Sequence, residues 1–258
     1  MQNGTNIVKV QKIKGPIVEK KLKIAPDYQF RAISQGNFFQ KNWHKNKMLA
    51  TKTLVNLDKK TTVLDLGTGS GNFELFFARE FKKIVGVDYN DEALYFLDKT
   101  LRKRDITNVD LILADIRKLN SLDIGKFDLI VAIDVLEHLK LPQVKSLIKS
   151  LKKFLNKGGK VLIITPNYKS SWVLVEYLFD LLRLAPKFRE EQHLSRLYRK
   201  NLEEIIEGYG FKIEKICSFN FPSFLLPVRS LSEKLCLMEM SVPFPFSHLI
   251  AVVFSKKS

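Results

Sequence analysis

Two periodicities alternate through the middle of the chain. Val63-Leu64-Asp65-Leu66, Ile84–Val87, Val109–Leu113, Phe127–Ile133 and Val161–Ile164 are short, nearly unbroken apolar runs, the pattern of strands buried on both faces. Between them lie stretches with helical spacing. Phe73–Ala78 opens one helix and Ala93–Leu101 forms another. Leu141–Leu155 is the clearest: Leu141, Val144, Leu147, Ile148, Leu151 and Leu155 fall on one stripe, with lysines opposite. Gly158-Gly159 is expected to stop that helix. Strands alternating with helices predict a parallel sheet with helices on both faces, because parallel neighbours need right-handed crossovers.

The flanks depart from this rhythm. Residues 1–60 read as a basic lead-in followed by a helix after Gly36-Asn37, where Phe38, Phe39, Trp43, Met48, Leu49 and Leu54 recur at near-helical spacing. Residues 61–258 form the main domain, with apolar insertions near 168–192 and 219–247. A helix is expected near Arg199–Glu207, a strand near Phe211–Cys217 and a last strand at Leu249–Phe254. In the first insertion, Ser171–Leu184 is apolar except for Glu176, Asp180 and Arg183, which share one narrow helical stripe. Fourteen residues of helix reach only ~21 Å, short of a ~30 Å hydrocarbon core. Such a helix buries against protein, against a large apolar substrate or into a membrane interface. The second insertion, with Phe219–Pro227 and Pro243-Phe244-Pro245-Phe246, is similar. The two either form an apolar lid over a substrate or membrane contact, or pack on each other or on a second copy.

Composition adds two constraints. Cys217 and Cys236 are too few for a disulfide scaffold, and the N-terminus has no signal-peptide core, so a cytoplasmic location, with membrane association left open, is expected. The net charge of +16 keeps the chain soluble and favours anionic partners, an acidic membrane face or nucleic acid. The lysines are scattered, with no aromatic-interleaved basic block, which argues against nucleic acid. Oligomeric state leaves no signature.

The chemistry begins at Gly67-Thr68-Gly69-Ser70-Gly71, where a strand hands over to a helix and a ligand can approach bare backbone. Asp65 precedes the turn, and Asp88, 21 residues after Gly67, ends the next strand, placed to accept from ribose hydroxyls. A dinucleotide fingerprint would put glycine at Asn72, and a triphosphate loop would close on a lysine that does not follow Gly71. S-adenosylmethionine (SAM) carries no pyrophosphate and needs only the shorter turn.

The stretch 63–71 resembles the first signature of class I SAM-dependent methyltransferases. Ile84–Asp88 resembles the second, Leu113-Ala114-Asp115-Ile116 the third, Phe127–Leu139 the fourth-strand motif and Lys157–Asn167 the fifth. The similarity runs over residues 38–255, nearest to ubiquinone-biosynthesis O-methyltransferases. It implies a Rossmann-like α/β fold with a seven-stranded sheet in the order 3-2-1-4-5-7-6, strand seven antiparallel. It also implies SAM as cofactor, with S-adenosylhomocysteine as product. The residues it places at the cofactor are Asp65, Gly67, Thr68, Gly69, Gly71, Asp88, Tyr89, Asp115, Ile116, Asp134 and Val135. The expected reaction is methyl transfer, foremost to oxygen, of a small hydrophobic or lipid-linked acceptor. A basic RNA methyltransferase and a SAM-binding protein without transferase activity are the alternatives; Thr165-Pro166-Asn167-Tyr168 is not the Asn/Asp-Pro-Pro-Tyr/Phe motif of amine methylation.

Transfer from a sulfonium needs alignment and, for a hydroxyl acceptor, a base. Asp134, Glu137, His138, Asn167 and Tyr168 sit at strand ends, where an open sheet builds its site. Imidazole as a side chain titrates near neutrality, which makes His138 one proton-acceptor candidate. His193 is the other, since the resemblance turns a histidine of that segment toward the substrate. His44 reads as a surface or packing residue and His248 as structural. No His/Asp/Glu spacing resembles His-Glu-x-x-His, so no metal is expected.

Overall fold

A computed structural model of the chain describes residues 7–9, 25–181, 192–242, 244 and 246–257. The rest of the basic lead-in before Ala25, residues 182–191 of the first insertion, and Pro243 and Pro245 of the second lie outside the described residues. Eight strands form one sheet: β1 (Ile7–Lys9), β2 (Thr62–Leu66), β3 (Lys83–Asp88), β4 (Val109–Leu113), β5 (Phe127–Ile133), β6 (Leu155–Pro166), β7 (Phe211–Phe219) and β8 (Leu249–Lys256). Their order is β1-β4-β3-β2-β5-β6-β8-β7, and only the two pairings made by β8 are antiparallel. Without β1 this is the order 3-2-1-4-5-7-6 that the motifs imply. The added strand pairs Ile7 with Leu111 and Lys9 with Leu113, covering the backbone edge that β4 would otherwise present. Three residues carry no readable period, so the sequence gives β1 no signal.

Both faces of the sheet are dry, which is why its central strands read as apolar runs. Leu64, Ile130 and Val252 point into one core with Val144, Leu147, Ile148 and Leu151 of α5 (Leu141–Phe154). Val63, Leu129 and Val253 point into the other with Leu94, Leu97 and Leu101 of α4 (Asp91–Lys103). Each such buried aliphatic side chain contributes about 2 kcal/mol. The remaining helices are α1 (Tyr28–Ser34), α2 (Phe38–Leu54), α3 (Asn72–Phe77), α6 (Trp172–Leu181), α7 (Arg199–Gly208) and α8 (Arg229–Ser241). Among the described residues no helix is long and apolar enough to cross a membrane.

One expectation needs correction. Helix α5 does not run on to Gly158-Gly159. It ends at Phe154, and β6 starts at once with Leu155 opposite Phe127. The next pair is Leu129 with Lys160, so residues 156–159 bulge out of the ladder, with Gly158 at φ +76° turning the excursion. Of the polar stripe on helix α6, Glu176 turns inward, while the Asp180 side chain and Arg183 lie outside the described residues. Glu176 is 2% exposed while Leu174 and Leu181 are 59% and 62% exposed, so the carboxylate faces the protein and aliphatic side chains face out.

The second insertion is held by a polar knot. Its helix α8 carries Glu239, whose carboxylate accepts from the backbone N–H groups of Asn220 (2.7 Å) and Ser223 (2.8 Å) and from the Ser223 hydroxyl (2.8 Å). Asn46 of α2 donates to Asn220 Oδ1 at 2.9 Å, which ties the segment to the N-terminal helix. All four residues are buried. Glu239→Ala leaves three buried donors unpaired, and is expected to cost about 3 kcal/mol. In urea denaturation the midpoint should fall with the slope unchanged; an unaltered midpoint would refute this role.

Candidate active site

The strand tips and the glycine loop form one unit. Gly67, Gly69 and Gly71 all adopt positive φ, the left-handed region that side chains avoid. A Cβ on Gly67 would also come within 2.4 Å of Val135 Cγ2, and one on Gly71 within 2.1 Å of Leu97 Cδ1. Gly67 N–H donates to Val87 O (2.8 Å), and Gly69 N–H donates to Asp88 Oδ2 (2.8 Å). The other oxygen, Oδ1, accepts from Asn90 N–H at 2.8 Å. Two backbone groups thus clamp the Asp88 carboxylate at the end of β3, with lone pairs directed into the space beside the loop.

That space is a cavity of about 990 Å³. One wall is formed by Gly67, Gly69, Ser70, Asp88, Tyr89, Asp115, Ile116, Asp134 and Val135, most of them residues the sequence motifs select. Asp115 starts a 3-10 turn and is chelated by Arg117, whose Nε and Nη2 donate to its oxygens at 2.6–2.9 Å. Burial pulls the Asp115 pKa up, and the Arg117 hydrogen bonds and charge outweigh it, leaving a net lowering. Asp134 sits at φ +56° and pairs with the buried Lys47 of α2. Desolvation opposes its ionisation, but the Lys47 charge prevails and holds its pKa low. The opposite wall is apolar: Phe39 and Trp43 of α2, Trp172, Val175 and Leu178 of α6, and Phe224 and Leu225 of the second insertion. Trp43 and Trp172 stack with centroids 4.9 Å apart.

The histidines fall into place around this cavity. His138 and His193 both line it, their rings 5.2 Å apart. His138 Nδ1 lies 2.9 Å from the Gln192 carbonyl, which only accepts, so that nitrogen carries a proton. His193 Nδ1 lies 2.5 Å from Glu176 Oε1 and 2.6 Å from the Tyr168 hydroxyl. The segment carrying His193 is fixed by Leu194 and Ser195, whose N–H groups donate to the Glu137 carbonyl at 2.7 and 3.1 Å. The Glu137 carboxylate accepts from Thr165 Oγ1 at 3.0 Å, and burial raises its pKa. Donor atoms of Glu137, His138 and His193 lie within 4.8 Å of one another, a set that could hold a divalent transition metal. Spacing could not reveal it, because His193 comes 55 positions after His138. His44 is half-buried. It lines the cavity, and burial together with Lys47 lowers its pKa to about 3. His248 is fully buried, 2.8 Å from Ser171 Oγ through Nε2, as a packing residue should be.

Three motif residues, Asp65, Thr68 and Gly71, are not on the cavity wall; they form the layer beneath the loop. There the Thr68 hydroxyl reaches both Asp65 Oδ2 (3.1 Å) and Glu74 Oε1 of α3. Burial, then the neighbouring Glu74, pushes the Asp65 pKa well above its usual range, and burial raises that of Glu74. The pair therefore retains a proton that the unfolded chain would release. A raised carboxylate pKa gives stability that is complete below the unfolded value of about 4 and is lost as pH climbs through the folded value. Glu74→Gln, which cannot ionise, is expected to gain roughly 1 kcal/mol over the parent at pH 8 and to lose that advantage by pH 4. Thermal melts across this range check it; parallel Tm curves would contradict it.

Comparison with known proteins agrees with this geometry. A family described as a methyltransferase domain matches residues 39–216. Among curated relatives, the ubiquinone biosynthesis O-methyltransferase of Coxiella burnetii is 32% identical over 62% of this chain and 67% of that enzyme. The (S)-coclaurine N-methyltransferase of Thalictrum flavum subsp. glaucum is 30% identical over 40% of this chain, but the match spans only 28% of that enzyme's length. Among solved structures, the N-methyltransferase NodS of Bradyrhizobium japonicum, in complex with S-adenosylhomocysteine, superposes with a TM-score of 0.58 at 15% identity, covering 93% of this chain and 97% of that one. The PH0226 protein of Pyrococcus horikoshii OT3 gives a TM-score of 0.60 at 20% identity, with 92% and 99% covered. With more than half of its length matched by the family and the seven-stranded order reproduced, the chain belongs to the class I SAM-dependent methyltransferases.

Proposed function

We propose that the protein transfers a methyl group from SAM to a hydroxyl of a small hydrophobic or lipid-linked acceptor. The observation that carries this reading is the two-sided cavity: a clamped ribose acid and bare glycine backbone on one wall, stacked aromatic and aliphatic side chains with two histidines on the other. The residues fit the cofactor. Asp88 would accept from the ribose hydroxyls, Gly67 and Gly69 let the nucleoside approach the backbone, and Tyr89 and Ile116 give it apolar contact. Asp115 is already engaged by Arg117, so its contact with an adenine amino group would use the carboxylate's remaining acceptor capacity. The bound cofactor supplies a methyl already activated on a sulfonium.

The chain's own task is to align the acceptor, exclude water and take up its proton. Trp43, Trp172, Val175, Leu178 and Phe224 would hold the apolar body of the acceptor. Of the three histidines lining the cavity, His44 has lost its basicity to burial and Lys47. His193, deepest in hydrogen bonds, is the proton acceptor in this reading, with His138 beside it. In titration calorimetry, Asp88→Ala is expected to weaken S-adenosylhomocysteine about 100-fold, as two lost charge-assisted hydrogen bonds would. His193→Ala should leave that affinity intact and lower labelled-methyl transfer to a panel of apolar phenols about 100-fold. Equal turnover by His193→Ala would remove it from the chemistry.

The acceptor's chemistry bears on where it is met. The outward face of α6, with Leu174, Tyr177 and Leu181 exposed, together with Phe246 and the net charge of +16, supports docking on an anionic membrane surface. Liposome flotation with anionic lipid is expected to carry the parent protein and to lose Leu174→Asp/Leu181→Asp. Parent protein that stays at the bottom of the gradient would exclude the membrane as partner.

A further inference from the structure

Helix α6 is apolar along its described outer positions yet buries one carboxylate, and nothing in the cofactor site explains why. Glu176 Oε1 is approached by three donors: the Tyr168 hydroxyl at 2.6 Å, Trp172 Nε1 at 2.8 Å and His193 Nδ1 at 2.5 Å. Its side chain is 2% exposed and that of His193 7%, so water contributes little to this contact. Burying an acid costs free energy unless donors meet it, and here the donors come from three separate points of the chain. Tyr168 also lies 2.6 Å from His193 Nδ1, so the phenol and the carboxylate compete for that nitrogen. Burial first, and then the hydrogen bond to Glu176, raises the Tyr168 pKa, so the hydroxyl keeps its proton and acts as a donor.

The competition has two outcomes. If Tyr168 donates to Nδ1, the neutral imidazole carries its proton on Nε2 and offers the cavity a donor, which cannot take a proton from an acceptor hydroxyl. If Nδ1–H donates to Glu176 and Tyr168 donates to the same oxygen, Nε2 carries the lone pair. We infer that Glu176 is a positioning residue that fixes His193 as the Nδ1–H tautomer and thereby makes Nε2 the atom that exchanges protons with the acceptor. It touches neither cofactor loop nor reacting atoms; it acts through His193. The inference rests on the reading of His193 as the proton acceptor. It adds that the helix supplying Trp172, Val175 and Leu178 to the acceptor wall also sets the base. Since Trp172 stacks on Trp43 of α2, the seat of α6 fixes the acceptor wall and the histidine together.

The chain has four histidines, so His193 can be assigned by its loss in His193→Gln, and long-range 1H–15N spectra separate the two imidazole tautomers. The probe is the 258-residue chain saturated with S-adenosylhomocysteine at a pH where the ring is neutral. The parent is expected to show Nδ1 protonated and Nε2 not. In Glu176→Leu, Tyr168 becomes the donor to Nδ1, and the spectrum should invert to the Nε2–H form. If the leucine variant does not fold, Glu176→Gln keeps an acceptor oxygen but no charge, and should show a mixture. Tyr168→Phe should keep the parent's tautomer. His138 signals and S-adenosylhomocysteine affinity should be unchanged in all three. An Nε2–H ring in the parent, or an Nδ1–H ring in every folded Glu176 variant, would overturn the inference. If instead the tautomers behave as expected while His193→Ala still methylates hydroxyls at the parent rate, the assignment of the base fails with the proton exchange at Nε2, and only the tautomer-fixing role of Glu176 stands.

Discussion

The hydrogen bond from Gly69 N–H to the Asp88 carboxylate is the constraint on which the rest of the site depends. It joins the turn after β2 to the end of β3, two neighbouring parallel strands whose register runs from Thr62 opposite Lys83 to Leu66 opposite Val87. The turn can reach Asp88 only because its glycines take left-handed φ, and α3 can start only where the turn ends. A loop free to move would leave the carboxylate to hydrate and the ribose contact unformed. Clamped by two backbone donors, the acid is oriented before any ligand arrives, so little ordering cost is left for binding.

Beneath the clamp, the turn rests on a layer that does no binding of its own. Asp65, Thr68 and Glu74 share hydrogen bonds in the dark between β2 and α3. Two buried acids this close favour retention of a proton, since full ionisation would set two charges against each other with little solvent to screen them. The cost is a stability that depends on pH; the gain is a turn whose underside is tied to side chains as its upper side is tied to Asp88. The cofactor wall is therefore rigid from both sides, which suits a reaction that depends on alignment.

Much of this was legible in the sequence, and the reasons are physical. Strands buried on both faces must be apolar throughout, so β2 to β6 declare themselves. The glycine turn and Asp88 are legible because strand-tip geometry ties their spacing to a strand–helix–strand unit of nearly fixed length. What stayed hidden depends on contacts across long stretches of chain. Lys47 finds Asp134 across 87 positions, and in the sequence it is one lysine among many. Arg117 is two residues from Asp115, yet only the 3-10 turn brings its guanidinium back onto the acid. Strand β1 is too short to have a period. Glu176 is the least legible, since one acid on an apolar helix gives no sign of its partners Tyr168, Trp172 and His193.

These differences separate the two halves of the cavity. The cofactor half is built from strand ends, where backbone N–H groups and a few side chains at set distances do the work, and it is encoded locally. The apolar half is built from inserts after β6 and β7, whose side chains meet α2 from far away in sequence. Inserts can change in length and composition without disturbing the sheet register, because they lie in the connections between strands rather than within them. Relatives named as N- and as O-methyltransferases both match this chain. The fold is held in common down to identities of 15–20%. In the proposed reading, a histidine set by a carboxylate from an insert, rather than from the sheet, follows the same division: the group that would take the acceptor's proton belongs to the part of the molecule that would hold the acceptor.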